Sequence, residues 1–475
     1  MPVVSKTTVR LMARGRRAAK NFREFVRFVG GLDPVKHQKE QVEACQDIGD
    51  NPNSGRKYIV VAPPGSGKSL LIGVLFVAWM IGKYPDEHIG LLSYANQPAW
   101  KQSAAVRRII EKSKPYHFTF PGIEKDPSSW GSSEFKIGRK SLIDQHPTLR
   151  CSGTQSAVVS YRFSGLVFDD PISQKQSSNA EQLEKAWDNY LMTITTRLID
   201  NAWQMVIGTR WVDDDFIGSL FLRKLEGWKI IHVKALNPDG TTYWPPDGKY
   251  GYSQKFMEDK KTLDPELFQV AYMGEPGKEG TGIIKKLPVY REVPTLEMIK
   301  KLDLLVAVGW DTAYKDKEKN DYTVGYVGGL DAYGVIWILD RRKGRFTTPK
   351  LIEQIYEIQE AWNPYEQWVE DSGGGTPAVQ IVVAETPGIP LTTVTPTQGG
   401  KRSRAHALVP YIKGGRVTFS RHAEWFENSR YNLTRFPFIT HDDDIDALWV
   451  LVSNLVGMTH PAEYEKREIR RLRMR

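Results

Sequence analysis

Tyr58-Ile-Val-Val-Ala-Pro-Pro-Gly-Ser-Gly-Lys-Ser69 passes from four apolar, mostly β-branched residues into a glycine-rich turn, and then into the apolar run Leu70 to Ile81. That order predicts a buried strand, a tight loop and a helix. Gly65 and Gly67 allow successive backbone N–H groups to curl around phosphate oxygens, with Pro63, Pro64 and Ser66 completing the loop. Lys68 places a positive charge where the β/γ end of a nucleotide lies, and the Ser69 hydroxyl can hold Mg²⁺. The P-loop pattern usually opens on Gly; here Ala62 stands in that position.

Outward from this turn, Ile89–Ser93, Leu166–Phe168 and Met205–Gly208 are further short apolar runs separated by helical stretches, up to about Leu236. They predict a mostly parallel sheet covered by helices on both faces. Gly165-Leu-Val-Phe-Asp-Asp-Pro171 ends one such strand in two carboxylates. Asp169 is read as the Mg²⁺ holder and Asp170 as the group that activates the attacking water. Val206-Ile-Gly-Thr-Arg-Trp211 ends another strand in polar groups, so Gly208, Thr209 and Arg210 suit a γ-phosphate sensor. Arg162 is a candidate arginine finger, with a surface arginine or structural ion pair as its alternative. Gln38, beside His37 and ahead of Gln41, precedes the first strand, where some ATPases read adenine.

Residues 237–296 are rich in Gly, Pro, Tyr and Lys and read as a connecting subdomain with a helix near Ser253–Leu263. A second strand-led region follows. Leu304–Trp310, Tyr322–Gly328 and Gly334–Leu339 read as strands, Pro349–Trp362 as a helix, Glu366–Val369 as a strand and Asp442–Val456 as a closing helix. Asp311 and Glu370 end two of these strands, while Asp442-Asp-Asp-Ile-Asp446 opens the last helix. Acids delivered from two strand ends and a helix start can converge on two Mg²⁺ ions ~3.5–4 Å apart, the clamp for in-line attack on a phosphodiester. The plainer alternatives are helix capping for Asp442–Asp444 and ordinary turn acids at Asp311 and Glu370. Asp321 and Asp371 are alternates, and Gly373–Gly375 reads as a turn.

The motifs Ala62–Ser69, Leu166–Pro171 and Val206–Trp211 together resemble the large terminase subunit of tailed double-stranded DNA bacteriophages, over about residues 35–456. Trp310-Asp-Thr-Ala-Tyr314, Val369-Glu-Asp-Ser-Gly-Gly-Gly375 and His441-Asp-Asp-Asp-Ile-Asp-Ala-Leu448 resemble, in order, the three acidic motifs of its nuclease. The resemblance implies an α/β chain, a RecA-like P-loop ATPase domain with a coupling motif at Gly208-Thr209-Arg210, followed by an RNase H-like nuclease domain. It implies a viral DNA-packaging motor that hydrolyses ATP, translocates double-stranded DNA into a procapsid, and cuts concatemers with Mg²⁺, or with Mn²⁺ in its place. Metal ligands would be Asp311, Glu370 and Asp443, with Asp446 and Asp442 next in order. Lys401-Arg-Ser-Arg-Ala405 and Gly414-Gly-Arg-Val417 also resemble that family, which sets Lys401, Arg402 and Arg404 near the DNA path, a solvated basic loop being the alternative. Implied partners are the portal protein, the small terminase subunit and further copies in a ring on the portal. The implied location is the host cytoplasm, on the procapsid and not in the mature virion. Two departures stand out: Asp170 replaces the usual Glu, and Gly153-Thr-Gln-Ser156 keeps little of the Gly-rich turn often found before the arginine. The rival readings are a P-loop helicase or translocase with a DNA-binding but inactive RNase H-like domain, and a non-enzymatic assembly adaptor.

The 475 residues carry 65 Lys+Arg against 56 Asp+Glu, a formal charge of +9, and 40% hydrophobic residues. That composition excludes disorder or a collagen-like repeat for the whole chain. The charge is local, because residues 1–30 carry +7 and residues 462–475 carry +3, leaving the stretch between at −1. Both ends therefore read as basic arms for nucleic acid or a partner; a mitochondrial transit peptide shares the N-terminal composition. Two cysteines form no CxxC and no disulfide framework. The longest apolar run near the P-loop is well short of the ~20 residues of a membrane span, so no membrane partner is expected. The expected divisions are a basic arm (1–30), P-loop domain (31–236), connecting subdomain (237–296), nuclease domain (297–458) and basic tail (459–475).

Overall fold

The computed structural model describes residues 5–138, 144–154, 160–222, 227–246, 251–277, 280, 282–312, 322–370, 381, 388–395 and 400–458. Asp321, Asp371, Gly373–Gly375 and the basic tail lie outside the described residues. The chain divides into two compact units, Met1–Pro276 and Gly277–Arg475.

The first unit is built on strands β1 (Lys57–Val61), β2 (Ile89–Ser93), β3 (Lys125–Trp130), β4 (Glu134–Ile137), β5 (Leu149–Gly153), β6 (Phe163–Asp169), β7 (Leu198–Gly208) and β8 (Trp228–His232), in the order β3-β4-β5-β2-β6-β7-β1-β8. From β5 to β8 all neighbours are parallel, and β4 and β3 add antiparallel at the β5 edge. Alternate residues of β1 serve different cores: Tyr58 and Val60 join one apolar cluster, Ile59 and Val61 another. A strand buried on both faces has no polar alternation, which is why β1, β2 and β6 read as continuous apolar runs. The order sets β7 between β1 and β6, the RecA-like arrangement. The loops after β1, β6 and β7 therefore open on the same sheet edge.

The N-terminal segment corrects the expectation of a free arm. Helices Lys6–Lys20 and Phe22–Phe28 bury Ala18, Phe22, Phe25 and Val26 in the core of the first unit. The Trp79 indole N–H donates to the Ala18 carbonyl at 2.9 Å. Phe22 and Trp79 pack with ring centroids 5.3 Å apart. The basic residues Arg10, Arg14, Arg16 and Arg17 stay exposed, so the charge decorates a docked helix. Downstream, Ala235, Tyr243, Met257 and Phe268 form a small core of their own, and the helix Gln254–Leu263 starts on the Ser253 cap.

In the second unit, β9 (Val289–Tyr290), β10 (Leu305–Asp311), β11 (Thr323–Leu330), β12 (Ile336–Gly344), β13 (Glu366–Glu370), β14 (Leu391–Val394) and β15 (Val417–Ser420) pair in the order β14-β13-β10-β11-β12-β15-β9. An antiparallel meander, β10-β11-β12, is extended by parallel β13 and β14 beyond β10, the RNase H-like order. The helix Thr348–Trp362 packs Leu351, Ile355 and Ile358 against Val306, Val308 and Trp310 of β10. On the other side, the helix Asp443–Val456 contributes Ala447, Leu448 and Leu451 to a core shared with Ala307. Gly309 makes this approach close: a Cβ there would fall 2.4 Å from the Leu451 nitrogen and 2.7 Å from the Ala447 carbonyl oxygen. Backbone cannot yield as a side chain can. Glycine at 309 thus lets the acidic start of that helix lie close to Asp311, two residues further along β10.

Candidate active sites

In the first unit, Gly65 (φ +75°) and Gly67 (φ +83°) take left-handed conformations that suit glycine and form the anion cradle expected of the turn. Lys68 is buried, and its Nζ donates to Thr209 Oγ1 at 3.1 Å and lies 3.9 Å from Asp170 Oδ1. The Thr209 N–H donates to Asp170 Oδ1 at 3.1 Å, and its hydroxyl donates to the Ala62 carbonyl at 3.3 Å. Three motifs distant in sequence are thus joined through adjacent strands.

Asp169 is buried and accepts a short hydrogen bond from Gln102 Nε2. Burial first, and then the charge of Asp170, push its carboxyl up to about 6, against opposing help from Ser69, Lys68 and Gln102. Its Oδ1 is buried without a hydrogen bond. An unsatisfied carboxylate oxygen next to a serine hydroxyl suits a hard divalent cation, so the residues fit Mg²⁺.

Three expectations in this unit change. Arg162 sits at the start of β6 and Asp169 at its end, a separation of roughly 20 Å at strand rise. Exposed, with a 3.5 Å contact to the Thr196 carbonyl, it is not a finger for the P-loop of its own chain. Arg210 is buried, but its guanidinium is tied to Asp215 at 3.0 Å and to the Val212 and Asp213 carbonyls at 3.2 and 2.7 Å. Of the sensor motif, Thr209 meets Lys68 while Arg210 braces the loop behind it. Gln38 donates through Nε2 to the Ser66 carbonyl at 3.1 Å, and its Oε1 accepts from the Val35 N–H at 3.3 Å. The amide therefore supports the phosphate loop from the edge of a cavity of about 510 Å³ lined by Leu32, Val35, Leu70 and Trp244.

In the second unit, Asp311 at the end of β10 feels the charges of Asp446, Asp443 and Glu370. Burial is the larger cause that raises its carboxyl well above the usual range, while Lys401 opposes it. Lys401 Nζ lies 2.6 Å from Asp442 Oδ1, 3.2 Å from Asp446 Oδ2 and 3.8 Å from Asp443 Oδ1. Arg404 grips Glu370 with both forks, Nη2 to Oε1 at 2.9 Å and Nη1 to Oε2 at 3.0 Å, and reaches Asp446 Oδ1 at 2.7 Å. Lys401 and Arg404, expected near the DNA path, are thus paired with acids of this centre rather than held free for backbone phosphates. Both face the carboxylates, and Arg402 is the most exposed of the three.

The acidic run splits by helix geometry. Asp443 and Asp446, three apart, share the face turned to Lys401, whereas Asp444 points into the core. There it meets Arg341 Nη2 at 2.7 Å, Lys343 Nζ at 3.1 Å, the Tyr326 hydroxyl at 2.7 Å and Asn432 Nδ2 at 2.7 Å. Among the described residues no three His, Cys, Asp or Glu side chains are drawn together tightly enough to hold a metal as they stand. The donor set nevertheless fits Mg²⁺ in kind, because it is all oxygen and anionic. The Lys401 ammonium stands where that charge calls for a cation.

Residues 308–455 match the family model described as the terminase RNaseH-like domain. The segment that holds the three acidic motifs is thus similar to that domain. The resemblance read from the three acidic motifs is borne out over those residues. Among solved structures, the large terminase of bacteriophage HK97 is 12% identical over 94% of this chain and 99% of its own, with a TM-score of 0.47. A large terminase from a thermophilic bacteriophage is 10% identical over 88% and 98%, with a TM-score of 0.34. The large terminase nuclease of another thermophilic phage, solved with bound magnesium, is 17% identical over 36% and 93%, with a TM-score of 0.27. No curated protein matches the chain.

Several residues at these sites have no sequence signature. Gln102, on the helix Asn96–Lys112, reaches Asp169. The Tyr252 hydroxyl lies against Gly65, where a Cβ would fall 1.9 Å from it, and Trp244 walls the cavity beside Gly67. In the second unit, Asp444 belongs to the acidic motif in sequence and to the core in space.

Proposed function

We propose that the chain is the large subunit of a phage terminase. In this reading its first unit hydrolyses ATP to drive double-stranded DNA into a procapsid, and its terminase domain cuts concatemeric DNA. The observation that carries the reading is the meeting of Lys68, Thr209, Asp169 and Asp170 on a chain whose residues 308–455 match the terminase RNaseH-like family model.

In the first unit, the N–H groups of residues 65–69 bind the nucleotide phosphates, Lys68 neutralises their developing charge, and Thr209 keeps Lys68 aligned. Ser69 and Asp169 hold Mg²⁺, and Asp170, fixed by the Thr209 N–H, orients the attacking water. In the terminase domain, Asp311, Glu370 and Asp443, flanked by Asp446 and Asp442, hold Mg²⁺ or Mn²⁺. Such ions supply the clamp on attacking and leaving oxygens of a phosphodiester. The proposed partners are double-stranded DNA, the portal protein, the small terminase subunit and further copies of this chain in a ring, in the host cytoplasm on the procapsid.

One observation favours the rival with an inactive RNase H-like domain: Arg404 occupies both oxygens of Glu370. The test uses the purified full chain with ATP, Mg²⁺ or Mn²⁺, and supercoiled and linear DNA. Phosphate release stimulated by DNA and lost in Lys68→Ala, together with nicking lost in Asp443→Asn but kept in Lys68→Ala, is the expected result. Absence of nicking at every metal concentration selects the rival. Absence of phosphate release as well selects the assembly adaptor.

A further inference from the structure

The helix Lys401–Lys413 enters the carboxylate centre with its first turn, and that turn has an unusual composition. It contains Lys401, Arg402 and Arg404 and no acid, and its N-cap, Gly400, supplies no side-chain hydrogen bond. Positive charge at a helix N-terminus opposes the helix dipole. Something outside the helix must offset it, and the partners are Asp442, Asp446 and Glu370.

The two cations differ. Arg404 is bidentate on Glu370, bonded to Asp446 and only 11% exposed in its side chain. Lys401 is 40% exposed, stands at the first helical position after a glycine, and reaches Asp442 and Asp446 with its ammonium on a flexible stem. A divalent ion bound to Asp446 or Asp443 would be a near neighbour of that ammonium, and the two like charges repel.

We infer that Lys401 is a cationic plug in the nuclease centre: it competes with divalent metal for Asp442, Asp443 and Asp446, and the centre loads metal as Lys401 withdraws toward solvent. Arg404 stays in place as the strut that positions Glu370 and Asp446. The inference rests on the nuclease reading of this centre and adds to it a built-in check on metal loading.

The test is Mn²⁺ binding, read from the electron paramagnetic resonance of the free ion. It uses the full chain in an Asp169→Asn background, so that the P-loop unit contributes no metal. Lys401→Met and Lys401→Gln are expected to bind Mn²⁺ about ten-fold tighter than the parent, whereas Lys413→Met, at the far end of the same helix, leaves affinity unchanged. Unchanged or weaker binding in both Lys401 variants, with melting temperatures preserved, overturns the plug. Should either variant unfold, hydrogen exchange of the parent decides. Faster exchange at the amides of residues 401–404 under saturating Mn²⁺ supports withdrawal, and unaltered exchange overturns it. If parent and variants all bind no Mn²⁺, the nuclease reading fails and the plug with it. Tight Mn²⁺ binding by the parent, equal to that of the Lys401 variants, overturns the plug alone.

Discussion

Each unit places carboxylates at strand ends with a lysine among them, yet the two lysines are held in opposite ways. Lys68 is buried and contiguous with the loop it serves; its nearest partner is the neutral Thr209 hydroxyl, with Asp170 at 3.9 Å. One oxygen of Asp169 is left without a hydrogen bond. Lys401 comes from a different helix and sits directly on Asp442 and Asp446, with Arg404 taking Glu370. The first arrangement keeps its cation at a distance from the acids and leaves room for substrate. The second has a surplus of acid, and the nearest available cations close onto it. A hydroxyl spacer separates an open site from a self-neutralised one.

The largest effect expected from this comparison lies under the second site. Asp444→Ala removes the acid that faces Arg341 and Lys343 in the core, and should destabilise the second unit by about 3–5 kcal/mol. Asp442→Ala, on the solvent side, should shift stability by about 1 kcal/mol or less. Equal denaturant midpoints for the two variants would erase the distinction drawn within the acidic run. Next, Lys68→Ala should lower phosphate release by roughly 10²–10³-fold and leave nicking untouched. Parallel loss of both activities would mean the two centres are not separate. A smaller effect is expected at Gln102→Leu, which frees Asp169 from its amide and should raise the Mg²⁺ needed for half-maximal phosphate release by roughly 10–100-fold. Metal titration of the ATPase reads this, and an unchanged curve would remove Gln102 from the site. Smallest of all, Arg162→Ala should change phosphate release by the isolated chain less than about 2-fold, as befits an exposed residue at the far end of its strand. A large loss would return it to the phosphate site.

Legibility followed the physics of each segment. Strands such as Ile89–Ser93 and Phe163–Asp169 are buried along their whole length and read as apolar runs. Lys125–Trp130, by contrast, is an edge strand with no buried residue, Lys-Asp-Pro-Ser-Ser-Trp, and has no alternation to detect. The basic stretch at residues 1–30 looked like an arm because its charge outweighs its pattern. Phe22, Phe25 and Val26 nonetheless carry it into the core. Arg162 looked close to Asp169 in sequence, but a strand separates its two ends by its full length. The direction of Lys401 and Arg404 was invisible, since a basic run facing solvent and one facing buried acids read alike.

By itself the sequence determined which chemical groups stand at which strand ends: the glycine-rich turn with Lys68 and Ser69, the pair Asp169 and Asp170, and the acids at 311, 370 and 442–446. These groups are legible because a phosphate cradle or a carboxylate at a strand end is a local matter of residue type, spacing and apolar flank. Tertiary structure alone decided which charge faces which. Whether Lys401 meets DNA or Asp446, and whether Asp444 joins a metal centre or pairs with Arg341, depends on how two helices pack across a sheet and on the 100° turned between neighbouring side chains of a helix. Gly309 sets that packing, with no room for a Cβ between β10 and the Asp443–Val456 helix.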